Sequence, residues 1–193
     1  MAGDALIERL QALGLLRADF EVPAPAPATE RTEEDEDEDD DWPRRRRRKS
    51  APPPHLRLLT LCDARALDGG LSVALDVRPD ELMGPLCMTI GGGARKVRVL
   101  DVREGPPMEV RISHGATEEP WELEDLYALV HNLNDLLRDD PTARVVAVLG
   151  EWQDSLQLWC LPKAKLPLLF AESFFAPRNR HQLERIVEGL DAP

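Results

Sequence analysis

The chain has 193 residues, of which 36 are acidic and 24 are Lys or Arg, and the formal net charge of −12 argues against a nucleic acid or an anionic membrane as partner. A hydrophobic content of 42% suffices for a packed core, and the length favours one domain with an appendage over two full domains. Three cysteines without paired spacing, and no run near the roughly 18 apolar residues of a membrane span, predict a soluble cytoplasmic protein with reduced thiols.

Residues 1–20 predict a short amphipathic helix. Its apolar side chains recur at helical spacing, and they are Leu6, Ile7, Leu10 and Leu13. Asp4 can cap the start of this helix, and Gly14 fits just past its end. A helix of about ten residues is not stable alone in water. We therefore expect its apolar face to dock, either on the chain's own domain or on another protein.

Residues 21–54 predict a disordered linker. They contain a proline–alanine run, nine consecutive acids at 33–41 and three prolines at 52–54, and such material neither packs nor forms regular structure. A basic run follows the acids and consists of Arg44, Arg45, Arg46, Arg47, Arg48 and Lys49. This run supports an alternative function, a nuclear or nucleic-acid-associated factor, although the adjacent acids and the lack of interleaved aromatic residues oppose nucleic-acid binding.

Residues 55–193 predict an α+β domain that is acidic in its own right, with 22 acidic and 15 basic residues. Alternating apolar side chains predict several strands in its first half. These are 56–62, 71–78, 86–90, 96–103 and 108–113, with the last two joined as a hairpin. The glycine triad at 91–93 is interpreted as a flexible turn rather than a phosphate loop, because a strand and not a helix is expected after it.

The second half of the domain predicts a helix, a hairpin and a final helix. Helical spacing of apolar residues covers 119–138, and the hairpin strands are 143–150 and 155–161. The continuous apolar run at 145–149 predicts a central strand that is covered on both faces. Asn179 and Gln182 are spaced as a capping box for the final helix.

The predicted element order of the domain is therefore β-β-β-β-β-α-β-β-α. Elements joined mostly by hairpins favour a single antiparallel sheet with the two helices packed on one face. The later elements resemble small secretion chaperones in their order, and no residue motif accompanies that resemblance. The order alone assigns no family.

Candidate chemistry in this sequence is sparse. The four histidines are dispersed, so we expect no metal site and no cofactor. A small enzyme is an alternative function, with His131 paired to Cys87 or Cys160 as a nucleophile. No known nucleophile motif surrounds these residues, so the favoured expectation is a non-enzymatic protein.

The expected function is a protein–protein interaction module, which would be an adaptor, a regulator or a chaperone-like protein. The N-terminal helix would dock on another protein or on a second copy of the chain. Trp152 at a predicted turn and the aromatic residues Phe174 and Phe175 in the segment 161–176 are further candidates for partner binding. The favoured interpretation of that segment is a crossover that buries its aromatic side chains in the core, and an exposed docking patch is the alternative.

Overall fold

The structure is a computed structural model that describes residues 5–20, 53–170 and 174–190. Within these residues the chain forms five α-helices and six strands. The helices are α1 (Ala5–Ala12), α2 (Pro54–Asp63), α3 (Pro79–Ile90), α4 (Leu126–Leu136) and α5 (Pro177–Leu190). The strands are β1 (Gly70–Ala74), β2 (Val97–Arg103), β3 (Met108–His114), β4 (Thr117–Leu123), β5 (Val145–Trp152) and β6 (Ser155–Leu161). Short 3₁₀ turns cover Gly92–Lys96, Lys163–Lys165 and Pro167–Leu169.

The strands form two antiparallel sheets of three strands each, where the sequence favoured one sheet. The first sheet has the order β1-β6-β5 and the second has the order β2-β3-β4. Both predicted hairpins are present, as β2–β3 and as β5–β6. The mixed α+β class is confirmed, and the predicted element order is not.

Two predicted strands, 56–62 and 86–90, are helices in the structure. A proline at the first helical position starts both α2 and α3. The φ angle of proline already suits a helix, and proline has no backbone N–H that would need a hydrogen-bond partner there. The buried side chains of α3 include Leu82, Leu86 and Ile90, which are spaced by four residues. A short apolar run fits both the strand period and the helix period, and here packing selects the helix.

Strand β4 was not predicted, because its sequence was assigned to the first turns of a longer helix. Trp121 and Leu123 alternate with glutamates and face Val110 and Met108 of β3. This two-residue period forms a strand with one buried face. Helix α4 begins only after it, where the Asp125 side chain accepts a hydrogen bond from the Ala128 amide at 2.8 Å and caps the first turn.

The run 145–149 is buried on both faces, as predicted, but its strand lies at an edge of the first sheet. Its outer backbone is satisfied by side chains and by one loop amide rather than by another strand, since the Ala176 amide donates to the Val148 carbonyl at 3.0 Å. The Asn134 amide group on α4 donates to the Val146 carbonyl and accepts from the Val146 amide, both at 2.8 Å. Alternate side chains of this strand enter the two hydrophobic cores on either side of the first sheet. A covered edge of this kind is closed to further strand pairing.

Helix α1 packs on the domain and ends as its sequence predicts. Gly14 has a φ of 60°, and the Leu15 amide donates to the Leu10 carbonyl at 2.9 Å in a left-handed helix stop. The chain then forms a bridge between Leu16 and Leu67, so that the N-terminal segment is hydrogen-bonded to the domain. We call Ala5–Phe20 the N-terminal strap.

The final helix starts at Pro177, so Asn179 and Gln182 lie inside it and do not form the predicted capping box. Asn179 Nδ2 donates to the Val146 carbonyl at 3.2 Å, and Gln182 Nε2 donates to the His131 carbonyl at 2.9 Å. Both side-chain amides therefore bond to residues of the core, and they do not cap the first turn of α5.

Other predictions concern residues that the structure does not describe. The linker prediction for 21–54 falls almost entirely on 21–52, and the predicted cap Asp4 also lies outside the described residues. None of the helices in the described ranges has the length and apolar character needed to cross a membrane.

Candidate functional site

An apolar cleft opens where the ends of the two sheets meet. It is formed by the turn after β1, the β2–β3 turn and the connection from β4 to α4, and it has a volume of about 640 Å³. That volume is within the range of ligand-binding pockets in proteins. We call it the terminal cleft, and its lining residues are Leu75, Val77, Pro79, Gly105, Pro106, Pro107, Met108, Leu123, Glu124, Asp125 and Leu126.

Leu75 is the exposed apolar side chain of this cleft. Strand β1 ends at Ala74, and the next two residues turn, so Leu75 leaves the alternating pattern that would have placed it in the core. Its side chain is 45% exposed. Pro106 and Pro107 supply rigid apolar surface and have no backbone N–H to donate. The cleft therefore offers contact area for an apolar side chain and few donors of its own.

An arginine clamp joins two of the segments that form the cleft. Arg78 Nη1 lies 2.6 Å from Glu104 Oε1, and the same guanidinium forms a two-pronged pair with Asp80 at 3.0 and 3.1 Å. Glu104 belongs to the β2–β3 turn, while Arg78 and Asp80 stand at the start of α3. A partly exposed ion pair contributes little to stability, but this one ties the turn to α3 and so sets the spacing of the walls.

Two carboxylates give the cleft a negative rim. Both carboxylate oxygens of Asp125 already have partners within the chain. Oδ1 caps α4, and Oδ2 lies 3.3 Å from Arg178 Nη2. Glu124 is exposed, and no hydrogen bond or ion pair joins its carboxylate to any residue that the structure describes. The lining residues of the terminal cleft include no Lys or Arg. An incoming cation would therefore find an available carboxylate here.

A second, polar cavity of about 230 Å³ continues along α4. Arg178 lies over the Tyr127 ring, with its guanidinium carbon 4.5 Å from the ring centroid. Burial raises the pKa of Tyr127, and the nearby Glu151 carboxylate raises it further. We call this cavity the α4 recess, and its lining residues are Glu124, Asp125, Tyr127, Ala128, His131, Asn132, Val148, Arg178, Asn179 and Gln182.

The apolar residues of the predicted N-terminal helix lie against the chain's own domain. Ile7 and Leu10 are buried in the core that covers one face of the first sheet, and Leu6 and Leu13 pack at its margin. Lys165 Nζ donates to the Leu13 carbonyl at the end of α1. Of the two expectations for this helix, docking within the chain is the arrangement that the structure contains.

The predicted aromatic candidates also pack inward. Phe174 and Phe175 are buried in the same core as α1, and Trp152 is half-buried at its margin. Phe175 meets Phe170 edge to face, with ring centroids 5.8 Å apart. The positions of Phe174 and Phe175 agree with the favoured interpretation, a crossover that buries its aromatic side chains.

The residues of the enzyme alternative are not brought together. His131 lines the α4 recess, and its Nε2 lies 3.2 Å from Asp135 Oδ2. Cys87 and Cys160 are buried in the core between the sheets, where burial raises the pKa of the first thiol to about 11 and of the second to about 12. Thiols with pKa values this high are protonated at neutral pH and are poor nucleophiles.

The basic run at 44–49 lies outside the described residues, so its nucleic-acid alternative stays a prediction. Among the residues that the structure describes, no group of three or more His, Cys, Asp or Glu side chains could hold a metal ion.

The glycine triad at 91–93 binds a carboxylate of the chain itself. The Gly93 amide donates to Asp140 Oδ2 at 2.5 Å. A Cβ at Gly93 would lie 2.7 Å from the same oxygen, so a larger residue there would require the Asp140 carboxylate to shift. Glycine is required at the preceding Gly92, where φ is 53° and a Cβ would lie 2.8 Å from the Ala143 backbone nitrogen. The triad is therefore an internal contact between the start of the second sheet and the end of α4.

Sequence reasoning missed the terminal cleft and its main residues, Leu75 and Glu124. The sequence predicts a strand over 71–78 and a helix over 119–138, and these ranges include Leu75 and Glu124. Pro79 is a local signal for the start of α3, since proline suits the first helical position, but no local signal marks the end of β1 at Ala74.

The chain matches no protein-family model, no curated protein and no solved structure. The geometry of the cleft therefore carries the functional interpretation.

Proposed function

We propose that this chain is a non-enzymatic interaction module, an adaptor, regulator or chaperone-like protein, whose domain binds a segment of another protein in the terminal cleft. The observation that carries the proposal is the exposed Leu75 side chain inside a cleft of about 640 Å³ walled by Pro106, Pro107 and Met108. Concave apolar surface with a few polar groups at its rim is the usual form of a binding site.

The cleft suits binding better than catalysis. Its titratable lining residues are Glu124 and Asp125, and Asp125 already caps α4 and pairs with Arg178. Neither residue is hydrogen-bonded to a histidine, a hydroxyl or a thiol within the described part of the chain, so the arrangement lacks a nucleophile with its base. Apolar contact with an extended segment uses the groups that are present.

In this proposal the N-terminal strap completes its own domain, whereas its sequence favours docking on another protein. Ile7, Leu10 and Leu15 are buried, and release of this face to a partner would expose them to water. The burial supports the alternative in which the helix completes its own domain, and recognition is then a property of the cleft.

The proposal is tested by photo-crosslinking from inside the cleft. Leu75 is replaced by p-benzoylphenylalanine in the full chain, which is expressed and irradiated in its native cells, and adducts are mapped by mass spectrometry. We expect one contiguous segment of a partner protein to be labelled, because the cleft holds a single extended stretch.

Leu168 provides the matched control. It is also an exposed leucine, 48% exposed against 45% for Leu75, and it lies on the crossover next to the N-terminal strap. The same photo-reactive residue at this position should not label the segment. Identical adducts from both positions, or none from Leu75, would contradict the proposal.

A further inference from the structure

The terminal cleft and the α4 recess are joined, because Glu124 and Asp125 line both. We infer that they form one groove, and that it selects a partner segment in which an apolar residue is accompanied, within about three residues, by Arg or Lys. This inference rests on the proposed function and adds to it the chemistry of the partner.

The length of α4 sets the spacing between the two parts of the segment. From Asp125 at the helix cap to Asn132 in the recess is seven residues, which at 1.5 Å each is about 10 Å. An extended peptide advances about 3.3 Å per residue, so about three residues cover that distance. The α4 recess therefore takes about three residues of an extended segment, and Glu124, which lines both cavities, lies where a segment leaving the terminal cleft enters the recess.

Charge specifies the second residue of the segment. Glu124 is exposed and has no partner among the described residues, Asp125 lies at the same rim, and Glu151 is close enough to raise the pKa of Tyr127. Arg178 is the cation opposed to these three carboxylates. The excess of negative charge favours a basic side chain in the segment and disfavours an acidic one.

The recess already contains one guanidinium of the chain itself, and it leaves Glu124 available. Arg178 stacks on the Tyr127 ring while pairing with Asp125. The Tyr127 hydroxyl and the Asn132 amide have no hydrogen-bond partner among the described residues, and both line the cavity. A segment lying along α4 would find these two groups available for its backbone, next to the carboxylate that binds its basic side chain.

The test is selection from a random nonapeptide library displayed on phage, with the full chain as bait. Selected peptides should carry Arg or Lys within three residues of an apolar residue. One selected peptide is then synthesised with a fluorophore, and its affinity is measured by fluorescence anisotropy. Glu124→Gln should weaken binding about fivefold, and higher salt should weaken it as well, because both reduce attraction between exposed charges.

Glu122→Gln is the matched control, since Glu122 is an exposed glutamate on the face of β4 opposite to Leu123 and does not line the terminal cleft or the α4 recess. Leu75→Asp should abolish binding of the same peptide, and because Leu75 is exposed the domain should stay folded. Peptides that need Leu75 but carry no basic residue, or bind equally to the Glu124 and Glu122 variants, would overturn the inference and leave the proposed function standing. Failure to select any peptide that depends on Leu75 would overturn the proposed function itself.

Discussion

Asp140 shows how one carboxylate can join distant parts of this chain. Its Oδ2 accepts from the Gly93 amide at 2.5 Å, and its Oδ1 accepts from the Thr142 hydroxyl at 2.6 Å and the Thr142 amide at 2.8 Å. The Thr142 hydroxyl and the Gly93 amide are the main reasons why the pKa of Asp140 is lowered to about 2. The charged form is therefore favoured by folding.

Replacing Asp140 with Asn should lower the free energy of unfolding at pH 7 by about 1 kcal/mol, a value reduced for solvent screening of a partly exposed group. Because the folded pKa is below the unfolded one, the stabilisation is present above pH 4 and is lost as pH falls from about 4 towards 2. Urea unfolding of both proteins at pH 7, 5 and 3 measures the difference. Asp139→Asn, at the exposed neighbouring position, should have little effect. If the difference in unfolding free energy between the two proteins were the same at pH 7, 5 and 3, the lowered pKa of Asp140 would not be the source of the stabilisation.

Helix α4 is held at both ends by specific side chains. Asp125 caps its start, and its end is closed by Lys163, whose ammonium donates to the carbonyls of Leu137, Arg138 and Asp140, each at 2.7 Å. These carbonyls have few partners within the helix, and a cation suits the negative end of the helix dipole. Burial lowers the pKa of Lys163, so the contacts must offset a desolvation cost.

Lys163→Met keeps the aliphatic volume and removes the ammonium. We expect a loss of about 2 kcal/mol in the free energy of unfolding, because three carbonyls then lose their charged donor. Lys96→Met, at an exposed lysine, is the comparison and should change stability by less than about 0.5 kcal/mol. Chemical denaturation of the two variants measures the difference. If both variants were equally stable, the contacts of Lys163 would not stabilise the end of α4.

At the scale of the whole molecule, the first sheet separates two hydrophobic cores. One face packs against the second sheet with α3 and α4, and the other packs against α2, α5 and the N-terminal strap. The strap therefore belongs to the second core even though residues 21–53 separate it from α2 in sequence. The terminal cleft lies away from the second core, between the ends of the two sheets.

Leu10→Ala should destabilise the whole domain by about 3 kcal/mol, because Leu10 is fully buried and its removal leaves a cavity. Gln11→Ala, at the exposed neighbouring position on α1, should be nearly neutral. Thermal and urea unfolding of both variants measure the effect. If Leu10→Ala left the stability of the domain unchanged while removing a binding partner, the helix would act on another protein, as its sequence also allows.

Several features of this protein could be predicted from the sequence because they depend on local physics. The apolar face of α4, the β2–β3 and β5–β6 hairpins and the stop of α1 at Gly14 follow from side-chain period and from backbone freedom at glycine. The burial of the run 145–149 on both faces also follows, since a continuous apolar strand has no face suited to water.

Only the tertiary structure decided the rest. The short apolar runs of α2 and α3 satisfy both the helical and the strand period, so their state depends on the surfaces against which they pack. The division into two sheets depends on strand pairings between residues far apart in sequence, such as β1 with β6. The terminal cleft combines Leu75, Pro106 and Glu124 from three separate connections, and the sequence alone does not contain their proximity. Local propensity determines the elements with one unambiguous period, whereas long-range packing determines the ambiguous elements and the site between their ends.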